Sequence, residues 1–377
     1  MKSGFRAWWP NLLLVAMTLM VVIAGFEVLL HFALPQKLYR FPRGMFINDP
    51  DLVFRMSPGF RGVLKNPEYT THFRINSLGL RGPEPRAEQA GSTRILGLGD
   101  SFVSALNVEE SETFLAVAES TLRKDLGTAK IDIINSGTPN YGTWHELRLF
   151  RRLAPRLNPQ AVLLCVYVGN DVENNLSPRI AVVRDGLLME GRPQSGILPY
   201  GLRSWLQRNS MAYVFFWRAW NQLRPRIGLT GSDTLRPERE LISARPSPYV
   251  VKGYEVTREL LRQFRDESEL RRIPLFLVLI PAEFQVYPER FENALRKQGV
   301  DSSSLDFDLP QKRWSEILSI LRLPFIDLLQ EFRSRRDGSY LYMSLDGHLT
   351  VEGNRLAGEA IGQALAPFLQ RKVAGLP

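Results

Sequence analysis

The stretch Arg94-Ile-Leu-Gly-Leu-Gly-Asp-Ser-Phe102 decides how the rest of the chain is read. Residues 95–98 form an apolar run bounded by glycine, the pattern of a buried strand, and Asp100-Ser101 opens a segment with helical spacing. A serine at the carboxyl end of a strand in an α/β sheet stands where such folds place their ligands. A blander reading competes with this one, because Asp and Ser are favoured helix N-caps and Ser101 then does no more than start a helix. A dinucleotide loop fails, since Phe102 stands where the third glycine belongs. A nucleophile elbow of the G-x-S-x-G type fails as well, since position 103 is Val.

Downstream of Ser101, strands and helices alternate. Residues 113–126 have helical spacing, 131–134 read as a strand ending in Asn135-Ser-Gly137, and 141–153 read as a helix with Pro155 beyond it. Residues 161–168 are an unbroken apolar run, which only cover on both faces explains, and they end in Gly169-Asn-Asp171. A helix over 254–272 leads into a second such run at 273–280, then come a fifth strand at 323–326 and a last amphipathic helix at 351–368. This rhythm predicts an α/β fold over 91–372, a three-layer α/β/α sandwich around a roughly five-stranded parallel sheet. It is interrupted at about 178–249, where Trp205, Tyr213, Phe215, Phe216, Trp217 and Trp220 are interspersed with arginines. Such an insertion rests on a membrane, roofs a cleft, or packs its aromatics inward.

Upstream, residues 12–34 are almost wholly apolar and long enough to cross a hydrocarbon core of ~30 Å. Lys2 and Arg6 precede them, Trp8 and Trp9 suit the interface, Pro35 closes the run, and Glu27 interrupts it. The run is too long for a signal peptide and has no clear cleavage site, so residues 1–36 are expected to be a cytoplasmic tip and an uncleaved anchor. Lys37, Arg40 and Arg43 balance the amino-terminal charges, so charge alone supports an extracytoplasmic main domain only weakly. Residues 37–90 read as short strands and turns, ending in a polar linker at 84–92. The 377 residues carry a formal charge of +9, mainly from arginine, without the basic-aromatic pattern of a nucleic-acid binder. The one cysteine, Cys165, forms no internal disulfide and reads as a small buried hydrophobe.

Four strand-end loops then offer distinct groups: the Ser101 hydroxyl, a backbone N–H at Gly137, the Asn170 amide, and the carboxylate and imidazole of Asp346-Gly-His348. Acyl transfer needs this set, since a serine must lose its proton to a base, a carboxylate must fix that base's tautomer, and the oxyanion needs donors. Gly99-Asp-Ser101, Gly137, Gly169-Asn-Asp171 and Asp346-Gly-His348, in that order, resemble the blocks of the SGNH (GDSL) hydrolases. The resemblance implies a flavodoxin-like SGNH fold, Ser101 as nucleophile, His348 as base and Asp346 as its orienting group. The Ser101 N–H, the Gly137 N–H and Asn170 would make the oxyanion hole. Two blocks depart from the family pattern: Gly169 directly precedes Asn170, and a single Gly347 separates Asp346 from His348. The one-residue spacer, the apolar span and the Asn76-Ser-Leu-Gly-Leu-Arg81 prelude resemble membrane-anchored members that accompany cell-surface polysaccharide synthesis.

The reading is a membrane-anchored serine esterase acting on an O-acyl group, expected to be O-acetyl, of a carbohydrate or cell-surface polysaccharide, with no metal or organic cofactor. The expected location is the cell membrane, with the catalytic domain outside the cytoplasm and polysaccharide-synthesis proteins as partners. An O-acetyltransferase using the same acyl-serine and a non-catalytic scaffold are the alternatives. Tyr141, Glu283 and Gln285 are expected to line the substrate cleft. His145 reads as a substrate or core residue, and Asp171 as a structural hydrogen-bonding group.

Overall fold

Five segments pair side by side, the inner three burying both of their faces and the two edge strands only part of theirs. In the computed structural model they are β1 (Thr93–Leu98), β2 (Ile131–Asn135), β3 (Ala161–Tyr167), β4 (Leu275–Ile280) and β5 (Phe325–Asp327), all parallel, in the order β2-β1-β3-β4-β5. The structure describes residues 9–38, 41–86, 92–179, 181–190, 198–226, 236–297 and 305–373. The expectations placed on Lys2, Arg6, Trp8, Arg40, linker residues 87–91 and parts of the 178–249 insertion lie outside the described residues.

Along the chain run α1 (Trp9–Ala33), α2 (Ser101–Ser104), α3 (Phe114–Asp125), α4 (Thr143–Leu157), α5 (Asp171–Leu176), α6 (Tyr200–Asn209), α7 (Met211–Arg226), α8 (Arg236–Ile242), α9 (Pro248–Leu270), α10 (Leu309–Ile320) and α11 (Val351–Val373). Alternate strand residues point to opposite faces. Leu96, Leu164 and Leu277 join one buried cluster with Phe150, Phe264 and Trp314 from α4, α9 and α10. Ile95, Leu163 and Val278 join the other with Phe114, Leu122 and Ile361 from α3 and α11. The sheet is therefore the middle of three layers. Its order switches direction between β1 and β3, so their carboxyl ends diverge into a crevice, the usual ligand position in such sheets.

Local details depart from the sequence reading for clear reasons. Helix α4 runs through Pro155 to Leu157 rather than stopping before it. Within its last turn proline removes only one intrahelical bond, and Asn158, at φ 46°, closes the helix onto Ala154. Strands β4 and β5 begin later than their apolar runs, because Ile273 N–H bonds Ser268 and Leu323 N–H bonds Leu318. Both strands are thus entered through the same Arg-x-Pro turn, with Arg272 and Arg322 at φ 56° and 54°.

The chain forms two compact units, one of Met1–Arg40, Lys65–Glu68 and Gln194–Thr234, the other of the remainder, which holds the sheet. In the larger unit an antiparallel hairpin, Phe46–Asp49 with Val53–Met56, buries Phe46, Phe54 and Met56 in the first cluster. Asp49 accepts both Arg152 guanidinium nitrogens at 2.7 and 2.8 Å and the Asp51 and Leu52 N–H groups at 3.0 Å. The Arg152 pair holds its carboxyl below the ordinary range. A depressed carboxylate stabilises the fold above its unfolded pKa and loses that contribution as pH falls through the folded one. Asp49→Asn is expected to cost about 1.5–3 kcal/mol at neutral pH, the worth of a charged hydrogen bond. The gap from wild type should close in strong acid, as denaturant melts across pH would record.

In the smaller unit, α1 is a 25-residue helix long and apolar enough to span a membrane, and its apolar side chains are exposed. Glu27 is its one carboxylate, and it accepts hydrogen bonds at the start of α7: from Ser210 Oγ at 3.0 Å, from Ala212 N–H at 3.0 Å and from Met211 N–H. Leu30 packs with Met211 and Ala212, and Phe26 with Phe215 and Phe216.

Candidate active site

The three loops that follow β1, β2 and β3 carry Ser101, Gly137 and Asn170. Ser101 is the first residue of α2, placed there by Asp100, whose Oδ1 accepts the Phe102 N–H at 2.8 Å as an N-cap. A Cβ at Gly137 would lie 2.3 Å from the Ser104 nitrogen, so only glycine lets the second loop approach α2 this closely.

Asp346 and His348 reach Ser101 from the other end of the domain. Gly347 between them has φ 78°, a left-handed conformation that turns the chain within one residue and sends both flanking side chains to the same side. His348 Nε2 is 2.8 Å from Ser101 Oγ, and His348 Nδ1 is 3.1 Å from Asp346 Oδ1. The second contact is misaligned with the ring N–H direction and is an electrostatic approach rather than a formed hydrogen bond. Asp346 is almost fully buried, and its Oδ2 accepts Tyr69 O–H at 2.9 Å.

Side chains that no local motif marks hold this arrangement. Phe102 lies between the Tyr167 ring at 3.8 Å and the His348 ring at 4.9 Å, and so supports the imidazole. Arg81 is buried, and its guanidinium donates to the carbonyls of Ser104, Ala105 and Val108, just past the end of α2. Burial lowers the Arg81 pKa to about 10, yet the group remains charged at neutral pH. Tyr69 and Arg81 both come from the short-strand prelude, where the sequence reading assigns neither residue a role at the strand-end loops. Arg81→Lys keeps the charge but cannot span three carbonyls. It is expected to lower kcat several-fold with KM little changed, while Arg81→Met also lowers the melting temperature; steady-state kinetics beside calorimetry check both.

The expected oxyanion donors Gly137 and Asn170 each have an internal acceptor. The Gly137 N–H donates to Asn135 Oδ1 at 3.0 Å, and Asn170 Nδ2 donates to Asp100 Oδ2 at 3.1 Å. Buried donors take the nearest acceptor. Gly137 finds its own Asx turn, and Asn170 finds the N-cap of α2. One Asn170 N–H hydrogen is not committed to Asp100. Burial raises the Asp100 pKa, opposed by the Phe102 N–H and the Asn170 amide. Asp171 and Glu146 are buried nearby and pushed up for the same reason. Asp171 accepts the Tyr167 N–H at 2.8 Å, which is a structural role.

Two of the three expected cleft residues are elsewhere. Tyr141 is buried, donates to the Phe54 carbonyl at 2.6 Å and stacks on His145 at 4.5 Å, so both rings belong to the core. Gln285 is buried, accepts the Ala282 N–H and donates to the Phe307 carbonyl, each at 3.0 Å. Both follow strand ends, as cleft residues do, but the backbone turns them inward. Glu283 stays half-exposed, paired with Arg290 at 3.0 Å and accepting Tyr340 O–H. The cavity beside the site is instead lined by Asn170, Val172, Leu176, Leu241, Tyr249 and Val250, encloses about 400 Å³, and is mainly apolar. Among the described residues no group of three or more His, Cys, Asp or Glu is placed to hold a metal ion.

No family model matches the chain, and no curated protein does. Solved structures similar to it include a lipase/acylhydrolase from Enterococcus faecalis, 15% identical over 73% of this chain and 96% of that one, TM-score 0.39. Others are the psychrotrophic esterase EstA from a Pseudoalteromonas species, 11% identical over 74% and 100%, TM-score 0.38, and a catalytic mutant of an acetylxylan esterase from Geobacillus stearothermophilus, 12% identical over 77% and 98%, TM-score 0.37.

Proposed function

We propose that this chain is a serine ester hydrolase of the SGNH type, anchored by α1, that removes O-acetyl groups from a carbohydrate through an acyl-Ser101 intermediate. The observation that carries the reading is the contact of Ser101 with His348, two residues 247 positions apart that nothing local forces together. With Asp346 facing Nδ1, the neutral imidazole keeps its proton on that nitrogen and leaves Nε2 free to accept one. Ser101 Oγ attacks the ester carbonyl as its proton passes to Nε2. Asp346 then faces the imidazolium that forms. The proton goes on to the departing sugar oxygen, leaving acetyl-Ser101. Water, deprotonated by the same Nε2, attacks that ester and releases acetate and Ser101.

Substrate replaces internal partners at the oxyanion site. The carbonyl oxygen, as it gains charge, competes with Asn135 and Asp100 for the Gly137 and Asn170 donors. Asn170→Ala is expected to lower kcat by ~10²–10³, the usual cost of one oxyanion donor, with a smaller change in KM. Initial rates on an acetylated oligosaccharide measure both. The cavity beside Asn170 is far larger than an acetyl group and receives the remainder of the substrate.

The deciding experiment is covalent. A fluorophosphonate should label Ser101 in the folded protein, and the protein should release acetate from acetylated oligosaccharide. Labelling at another residue, or none, sinks the assignment. Because a sugar hydroxyl attacks the same acyl-serine as water, adding an unacetylated oligosaccharide shows whether acetyl passes to sugar instead. This reading puts the catalytic unit outside the cytoplasm, because the acetylated polysaccharides it is proposed to act on, and the proteins that make them, belong there. A reporter active only there, fused after Pro377, reads the orientation, and a silent fusion at normal expression reverses it.

A further inference from the structure

The Glu27 contacts point beyond a single-span anchor. We propose that α6 and α7 form a helical hairpin that dips into the same bilayer leaflet as the carboxyl end of α1, with its tip at Ser210 fastened to Glu27. The proposal rests on reading α1 as a membrane span.

Depth comes first. At about 1.5 Å per residue, Glu27 lies about 9 Å from the end of α1 at Ala33, and the 25-residue helix exceeds the ~30 Å hydrocarbon core by several ångströms. Glu27 therefore sits inside the apolar layer, and so does whatever it binds. It binds the start of α7. Further along α7, Arg218 donates to Gln36, beyond the end of α1, at 3.2 Å. The two fixed points set α7 alongside α1, rising from within the lipid toward the headgroups.

Backbone accounting comes second. Within lipid an irregular turn survives only if the protein satisfies its polar groups. At the tip, Ser210 N–H closes α6 onto Leu206, and Asn209 caps the Trp205 carbonyl. Glu27 takes Met211 N–H and Ala212 N–H, Ser210 Oγ takes Tyr213 N–H, and the Ser210 carbonyl takes Val214 N–H. Each backbone N–H from Ser210 to Val214 is thus paired inside the protein. The positive end of α7 also offsets the carboxylate that would otherwise be stranded in lipid.

The outer surface comes third. On α7 Met211, Ala212 and Phe215 pack with α1, while Trp217, Trp220 and Leu223 follow one face and are exposed, with Phe216 at its margin touching Phe26 and otherwise exposed. Trp205 and Leu202 are exposed on α6. Tryptophan toward the headgroup end of α7, beside half-buried Arg218, is the composition of an interfacial belt.

The full chain, with the buried Cys165 left in place, is reconstituted in vesicles of three parts phosphatidylcholine to one part phosphatidylglycerol. Single cysteines at Met20, Trp217 and Leu270 carry an environment-sensitive fluorophore. Nitroxide-bearing lipid should quench the label at Trp217 about as deeply as at Met20 and several-fold more than at Leu270, with aqueous iodide showing the reverse order. In the Glu27→Ala background the lipid quenching at Trp217 should fall several-fold while that at Met20 stays. Iodide quenching at Trp217 equal to that at Leu270, with Met20 still quenched by lipid, overturns the hairpin and leaves the anchor. Protection at Trp217 from both quenchers means a protein surface covers α7, and also overturns it. Unchanged lipid quenching in Glu27→Ala overturns the lock. Loss of lipid quenching at Met20 overturns the anchor reading itself.

Discussion

Ser101→Ala is expected to remove ester turnover by ~10⁴–10⁶-fold while leaving the melting temperature within a degree or two of wild type. The chemical loss is large because in the proposed mechanism the nucleophile and base act as a unit, so deleting one forfeits nearly all they supply together. The stability cost is small because the hydroxyl makes one contact, to His348, at a partly exposed position, while the Asp100 cap and Ser104 hold the backbone of α2. His348→Ala should match it within about tenfold. Acetate release from an acetylated oligosaccharide, followed alongside calorimetry, checks both halves. A variant that keeps more than about a tenth of wild-type activity leaves no place for an acyl-serine.

Asp346→Asn should cost about 10⁴ in kcat, through the proton on the imidazole rather than through shape. Asp346 accepts from Tyr69 through Oδ2 and faces His348 Nδ1 through Oδ1. The tyrosine takes the amide oxygen of the replacement, which leaves the NH₂ group against Nδ1. Nδ1 then becomes the acceptor, the ring proton moves to Nε2, and Nε2 can no longer take the Ser101 proton. Tyr69→Phe frees Oδ2 without reversing the tautomer, so its loss should be far smaller. Nitrogen NMR of His348 in the two variants separates the cases, since only Asp346→Asn moves the proton between ring nitrogens. Equal losses in the two would show that Asp346 serves through packing alone.

What could be read from the sequence followed the range of the forces involved. The strands were legible because burial on two faces leaves unbroken apolar runs such as Val162–Val166, a signature written within a few residues. The Ser101–His348 pair was legible because Ser101 follows a strand and His348 stands shortly before the last helix, in an order that resembles a family pattern. The supporting roles of Tyr69, Arg81 and Phe102 were not, because their partners lie on other elements: even inside a quoted stretch, residue type does not say what a side chain will touch. Tyr141 and Gln285 misled for the converse reason: their position after a strand end suits a cleft, but the direction of a side chain depends on turns that residue type does not specify. Glu27 stood out as an anomaly in an apolar helix, while its solution, a helix start 183 residues later, could not be seen from either side.

That separation also orders events during synthesis. At ~5–20 residues per second, a ribosome finishes α1 some ~10–40 s before it makes Ser210. β1, β2 and β3 emerge in the interval, while β4 and β5 come only after α7. The nascent sheet therefore waits, three strands wide and with the β3 edge unpaired, until the chain has completed its excursion and returned. A chain that stalls there exposes Val162, Leu164 and Val166 to proteases and to other unfinished chains. Changes at Glu27 should accordingly appear in cells first as a smaller yield of enzyme, with the molecules that do mature turning over at the normal rate.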